Sequence, residues 1–323
     1  MKDVKENTKK FNISKYSEYA CILSVIFVVG FFTIINPRFL STYGLKNIMI
    51  EMAPLMLMAG GISFVLFTGG IDLSTGAIAS CACVLTGIYV KDVGNIIILY
   101  LFIFGIFIGL LNGIIVSQFK LPSFIVTLCT QNIWTCIALI KSGGGSSIVP
   151  MNKRHIISWA TENVGIFPVM FIFSILCIII LYFIQRNTKF GKNIFALGAN
   201  ARSSRIAGVN TKLTQISAFI ICGACSSLSG VLYAYKLKSS VPTVGDSLGL
   251  LAISAVALGG TSMAGGKGSV LRTFLGVMTV ISIYSGMNMI GVHALWKDIV
   301  IGFILIIAVY INSDKTGKDI IVK

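Results

Sequence analysis

The chain is 323 residues long, 55% hydrophobic and only 11% charged, with a mean hydropathy of +0.90. Soluble domains carry about 25% charged residues, so this composition excludes an ordinary aqueous enzyme and, equally, a disordered chain. Its 26 Lys and Arg against 11 Asp and Glu, net +15, would suggest nucleic acid on a soluble chain; here the excess points to the loops of a polytopic membrane protein, with no nucleic-acid partner.

Residues 1–19 are too polar to insert, and no cleavage site follows the first apolar run, which predicts a cytoplasmic N-terminal tail rather than a signal peptide. A crossing helix needs about 20 mostly apolar residues, at about 1.5 Å each across a core of about 30 Å. The pattern places spans near 20–36, 48–67, 74–90, 94–116, 122–140, 166–184, 214–235, 245–260, 270–290 and 296–312. The expectation is one all-α transmembrane domain, 20–312, followed by a cytoplasmic tail, 313–323. Ten spans put both termini on one side. With the N-terminus inside, 17 of the 26 basic residues fall in inner segments. The inner loop 185–213 carries six of them and no acid, whereas the outer loop 141–165 mixes Lys141, Lys153 and Arg154 with Glu162. This bias predicts cytoplasmic termini. The weakest span is 245–260, with 16 glycine-flanked residues; a re-entrant segment there would give nine crossings, and ten is the better reading. Trp159 and Trp296 sit at outer span edges as interface anchors, and Trp134 packs deeper. The eight cysteines all lie in apolar runs, where Cys is a small hydrophobe rather than part of a disulfide scaffold.

Several spans are interrupted in ways a plain anchor would not need. The second holds Pro54 and Gly60-Gly61 and ends in Thr68-Gly69-Gly70-Ile71-Asp72-Leu73-Ser74. The fifth opens with Leu121-Pro122-Ser123, and the eighth runs into a loop with Gly259, Gly260, Gly265 and Gly266. Broken helices in membranes line cavities or pack against protein. Asp72 costs roughly 2.5 kcal/mol to insert, so it either N-caps the next helix or contacts substrate. Asn112, Gln131 and Asn132 either bond neighbouring helices or line a path. Gly105 and Gly109 form a small-xxx-small pair that predicts close helix packing.

No catalytic constellation stands out. A phosphate loop ending at Lys267 would require Gly at 261 and Ser or Thr at 268, where Thr261 and Gly268 stand. Cys222 and Cys225 have redox spacing but sit mid-span, and His155 and His293 lie in separate outer loops. The chain is therefore expected to be no enzyme and to bind no cofactor or metal, drawing energy from another chain or an ion gradient. In loop 185–213, Asn200 can cap a short helix through Ala207, with Gly208 as its left-handed stop. Arg202 and Arg205 then share a face, and Gly191 and Gly198 allow turns on the way in. Such a helix meets either anionic headgroups or a cytosolic partner.

The string Phe64-Val65-Leu66-Phe67-Thr68-Gly69-Gly70-Ile71-Asp72-Leu73-Ser74-Thr75-Gly76 resembles a segment of ribose-type permeases of ATP-binding-cassette (ABC) importers. So do Asn112-Gly113 leading to Lys120-Leu121-Pro122-Ser123, the stretch from Gly191 to Val209, and Leu258-Gly259-Gly260-Thr261-Ser262 with Gly265-Gly266-Lys267-Gly268-Ser269. The resemblance implies a permease of the cobalamin-importer type, in the bacterial plasma membrane, paired with a second copy or paralogue. It implies cytoplasmic ATP-binding subunits that hold ATP and Mg, and an extracytoplasmic sugar-binding protein. It assigns coupling to Asn200, Ala201, Arg202, Ser203, Ser204, Arg205, Ile206, Ala207 and Gly208, and Asp72, Asn112, Gln131 and Asn132 are the candidate path residues. The substrate would be a ribose-like sugar or polyol. Rival readings are a permease for branched-chain amino acids or nucleosides, and an ion-coupled secondary transporter. The family pattern has an acid followed by Ala-Ala-Arg where this chain has Arg202-Ser203-Ser204-Arg205, so an acidic partner groove is expected. Cys129 also replaces a common glycine.

Overall fold

A computed structural model describes residues 13–293 and, beyond them, 296–297, 299–300, 302–304 and 306, with side chains from residue 21 onward. The predicted tenth span and the C-terminal tail lie largely outside these residues. The helices are α1 (Ile13–Ile35), α2 (Thr42–Phe67), α3 (Thr75–Val93), α4 (Ile97–Phe119), α5 (Ser123–Ser142), α6 (His155–Ser158), α7 (Val169–Asn187), α8 (Lys189–Ala199), α9 (Ala201–Ile206), α10 (Thr211–Leu237), α11 (Leu248–Leu258) and α12 (Val270–Met289). Two small antiparallel ribbons accompany them: β1 (Ser147–Ile148) pairs with β4 (Ser239–Ser240), and β2 (Asn163–Val164) pairs with β3 (Phe167–Pro168). The first helix begins at Ile13, so residues 13–19 of the predicted tail are helical.

Among the described residues, six stretches are long and apolar enough to cross a membrane: Thr42–Phe67, Thr75–Phe119, Ser123–Ser142, Val169–Asn187, Thr211–Leu237 and Val270–Met289. The second is a hairpin of two helices. Ala79 and Gly87 of α3 lie against Gly230 and Ser240, so α3 runs with α10. Leu101 and Gly113 of α4 meet Ser227 and Ile216, so α4 runs against it. The protein is thus a polytopic helical bundle with two ends, one carrying the β-ribbons and α6, the other carrying α8 and α9.

The spans α2 and α10 form its centre, 89% and 83% buried over their apolar windows, against 17% for α5. The α4–α10 seam is glycine-built. A Cβ on Gly109 would lie 2.2 Å from the Phe219 carbonyl oxygen, and one on Gly105 2.4 Å from that of Gly223. Gly113 continues the register against Ile216, so the predicted small-residue pair is a run of three. The deep tryptophan packs as expected, with Trp134 edge-on to Phe104 at 5.3 Å. Trp159 does more than anchor: its Nε1 donates to Asn95 Oδ1, which also accepts from the Tyr235 hydroxyl.

The weak eighth span resolves into two parts. Ser240 pairs with Ser147 at the ribbon end and stands against Gly87. Non-helical chain through Pro242 then descends along α3 to Gly245, which is in backbone contact with Gly76 and donates its N–H to Ser80 Oγ at 2.9 Å. Only there does α11 begin. Its 11 residues reach about 16 Å, half a bilayer core. It delivers the chain to Gly259–Gly268 at the opposite end, where Gly265 touches Gly69 and Gly198. This segment passes from end to end and does not return as a re-entrant loop would. Pro242 and Gly245 of the interrupted stretch are buried, while its polar residues Thr243, Asp246 and Ser247 are exposed.

Candidate functional site

The α9 end brings together three glycine-bearing segments that lie far apart in sequence. The Phe67 carbonyl, closing α2, accepts from the Gly266 N–H at 3.0 Å. A Cβ on Gly69 would sit 2.9 Å from the Ala264 oxygen, and one on Gly265 would sit 2.6 Å from the Gly69 nitrogen and 3.1 Å from the Gly198 Cα. Gly69, Gly260, Gly265 and Gly266 all have φ between 73° and 89°, which side-chain-bearing residues rarely adopt. Gly259 backs onto the Arg272 carbonyl oxygen, and Gly70 lies beside Val65 and Ser123.

Onto this junction α8 is fixed by aromatic stacking. Phe195 meets Phe67 at 4.7 Å between ring centroids, and Phe190 lies parallel to Phe64 at 6.0 Å. Gly191 and Gly198, expected as turn residues, lie within α8 instead. Their role is close approach: a Cβ would come within 1.9 Å of the Gln185 and Phe67 oxygens respectively.

The short helix α9 carries the predicted caps. Asn200 Oδ1 accepts from the Ser203 N–H at 3.0 Å, the Ser204 hydroxyl donates to the Asn200 carbonyl at 2.8 Å, and Gly208 ends the element at φ 82°. Asn210 in turn caps α10 through the Leu213 N–H. Ser204 is buried and Ala201 half-buried, while Arg202, Ser203, Arg205, Ile206, Ala207 and Gly208 are exposed. Ile206 is 81% exposed, an apolar knob on the same short helix as exposed Arg202 and Arg205.

The structure brings Asp72 and Asn112 together, although 40 residues separate them. Asp72 is 1% exposed; its Oδ1 accepts from the Ser74 N–H at 2.9 Å and from the Ser74 hydroxyl at 2.6 Å. Asn112 Nδ2 donates to the same Ser74 Oγ at 2.9 Å. Asp72 therefore sits two residues ahead of the α3 cap residue, Ser74, and organises the turn into the helix. Asp72 Oδ2 and Asn112 Oδ1 have no hydrogen-bond partner among the described residues. Gln131 and Asn132 lie elsewhere, on peripheral α5, half-buried and exposed. Ser123 and Thr127 are residues that sequence reasoning missed. Their hydroxyl oxygens accept from the N–H groups of Ile71 and Leu73, clamping the Gly69–Ser74 turn to α5. Two hydroxyls four residues apart, directly after Pro122, were the available signal.

Replacing Asp72 with Ala leaves the Ser74 amide without its acceptor, and about 1–3 kcal/mol of stability is expected to go. Asp72→Asn keeps Oδ1 and should stay within about 1 kcal/mol of wild type. Thermal unfolding of the purified chain in detergent measures both, and an Ala variant as stable as the Asn variant would deny Asp72 this organising role.

A family model described as the permease component of branched-chain amino acid transport systems matches residues 44–309. The ribose import permease protein of Bacillus subtilis (strain 168) is 32% identical over 300 residues, covering 91% of this chain and 92% of its own. The D-allose transport system permease protein of Escherichia coli (strain K12) is 30% identical over 315 residues, 94% of each chain. The galactose/methyl galactoside import permease protein of Haemophilus influenzae is 28% identical over 332 residues, 97% of this chain and 98% of its own. No solved structure matches.

Proposed function

The chain belongs to the family of branched-chain amino acid transport system permease components, and from that premise we propose that it is the membrane subunit of an ABC importer for a monosaccharide. The observation that carries the substrate class is end-to-end similarity, over more than nine-tenths of the chain, to permeases named for ribose, allose and galactose. The same relatives do not favour branched-chain amino acids or nucleosides as the cargo. The subunit is not itself an enzyme; ATP and Mg belong to a separate cytoplasmic chain, and a sugar-binding protein delivers cargo from outside.

On this reading the bundle sits in the bacterial plasma membrane with both termini cytoplasmic, ten spans and the cobalamin-importer type of fold. The α9 end faces the cytoplasm, and Asn200 to Gly208 transmit the state of the ATPase to the permease. The path runs along the exposed face of α5, where Cys129, Asn132 and Cys136 follow at helical spacing, with half-buried Gln131 beside them. An uncovered amide facing lipid is costly, so a second permease copy covers this face and shares the path. Asp72 and Asn112 shape the path from behind by fixing the turn that Ser123 and Thr127 hold. The test is uptake into proteoliposomes containing permease, ATPase subunits and binding protein. Labelled ribose, allose or galactose should accumulate only with ATP at the ATPase subunits, and ionophores at constant ATP should leave the rate unchanged. Loss of uptake with the ion gradient would replace this reading with a secondary transporter.

A further inference from the structure

Beside the glycine junction lies a cavity of about 410 Å³, between the α4–α5 turn and the start of α10. Its walls include Ser117, Lys120, Ser123, Arg205, Thr211 and Lys212, and no carboxylate. It falls at the small end of the range for ligand sites, about 300–1,000 Å³. Three cations from three elements thus converge on one concavity, although like charges repel. Lys212 Nζ is held by the neutral Gln118 Oε1 at 2.9 Å, and the one ion pair among the described residues, Lys236–Glu51, is at the other end of the bundle. Two long helices, α5 and α10, also begin at the cavity, where Ser123 and Thr211 line it, and a helix start carries the positive end of the dipole.

A second observation points to a missing ligand. Ser117 is 6% exposed, stands on the cavity wall, and its hydroxyl has no hydrogen-bond partner among the described residues. A buried hydroxyl left unpaired costs about 1–3 kcal/mol, which an acceptor in the cavity would recover. The required ligand is anionic and compact, and it accepts hydrogen bonds in several directions at once. A carboxylate presents two oxygens in a plane. A phosphate presents oxygens tetrahedrally, and it suits one guanidinium, two ammonium groups, a hydroxyl and helix N-termini arriving from different sides.

We propose that this cavity is a phosphate-binding site, occupied by the headgroup of an anionic phospholipid or by a free phosphate or phosphomonoester. It is independent of which cargo the permease carries, because the test below reads binding by the permease chain alone. The full-length chain, purified in detergent, is titrated with inorganic phosphate by calorimetry, with chloride matched for ionic strength. Saturable binding is expected, about tenfold weaker in Lys212→Gln and in Lys120→Gln and several-fold weaker in Ser117→Ala. Lys91→Gln, at the other end, should bind as wild type. Ser117→Ala changes no charge, so its effect separates a built site from a general basic surface, and Lys212→Gln serves if Lys120→Gln fails to fold. Native mass spectra distinguish the sources. A phospholipid occupant appears as one adduct per chain, lost in Lys212→Gln, with phosphate binding only after delipidation; a free-phosphate site binds equally with lipid present. Wild-type binding no tighter than that of Lys212→Gln would overturn the proposal. So would loss of the Lys212-dependent binding on assembly with the ATPase subunits, which would make the cavity a socket for an acidic side chain.

Discussion

Arg202→Glu combined with Arg205→Glu is expected to abolish co-purification of the ATPase subunits while the permease still inserts and accumulates. The reason lies in how α9 is held. Its fold depends on Asn200 Oδ1 capping the Ser203 amide, on buried Ser204 and on the left-handed turn at Gly208, none of which involves either arginine's side chain. Both side chains are exposed, and Glu is as good a helix former as Arg. The helix should therefore survive with its charge reversed. If the partner groove is acidic, as this cationic face requires, two reversals turn attraction into repulsion. A desolvated charge contact is worth about 2–5 kcal/mol, so affinity should fall by 10²-fold or more. Ile206→Asp, at the 81% exposed apolar knob beside them, should act in the same direction without reversing a cation. Detergent-extracted complexes, purified through a tag on the permease and scored for ATPase content, decide the matter. If α9 only met anionic headgroups, the double variant would keep its ATPase subunits.

Features that depend on neighbours in sequence were readable before the fold was known. Asn200 and Gly208 bracket α9 because capping is a matter of three or four residues. Gly105 and Gly109 announce a close seam because helical spacing alone puts them on one face. What could not be read depends on which segments meet. Nothing near Asp72 indicates that Ser74 will bridge it to Asn112, or that hydroxyls at 123 and 127 will take the amides of 71 and 73. Lys120, Arg205 and Lys212 count toward the same basic excess as any loop lysine until the bundle closes and puts them around one cavity. The eighth span stayed ambiguous for a physical reason: hydropathy cannot tell one continuous helix from a run of turns followed by a short helix. The contact of Gly245 with Gly76 makes that second arrangement possible, and it is non-local.

Gly198→Ala is expected to have the other large effect, and here geometry alone sets the argument. Gly198 has ordinary helical backbone, so alanine meets no conformational penalty at this position and gains some helix propensity. Its Cβ, however, would fall 1.9 Å from the Phe67 oxygen and 2.4 Å from the Gly266 nitrogen, the two atoms that hydrogen-bond to each other. A methyl group cannot occupy that space unless α8 is pushed off α2 and the Gly265-Gly266 loop. Overpacking of this kind costs about 1–3 kcal/mol, and the lost backbone hydrogen bond about 1 more. The rings of Phe195 and Phe190, which fasten α8 to Phe67 and Phe64, would shift with it. The variant should thus unfold at lower temperature in detergent and, in proteoliposomes with ATPase subunits bound, hydrolyse ATP without moving sugar. Gly143→Ala, outside the coupling segment, provides the comparison. Its φ of 66° imposes left-handed strain of about 1–2 kcal/mol, but a Cβ there meets open space, so transport should persist. Equal transport by Gly198→Ala and wild type, at matched abundance, would show that movement of α9 does not pass through this junction.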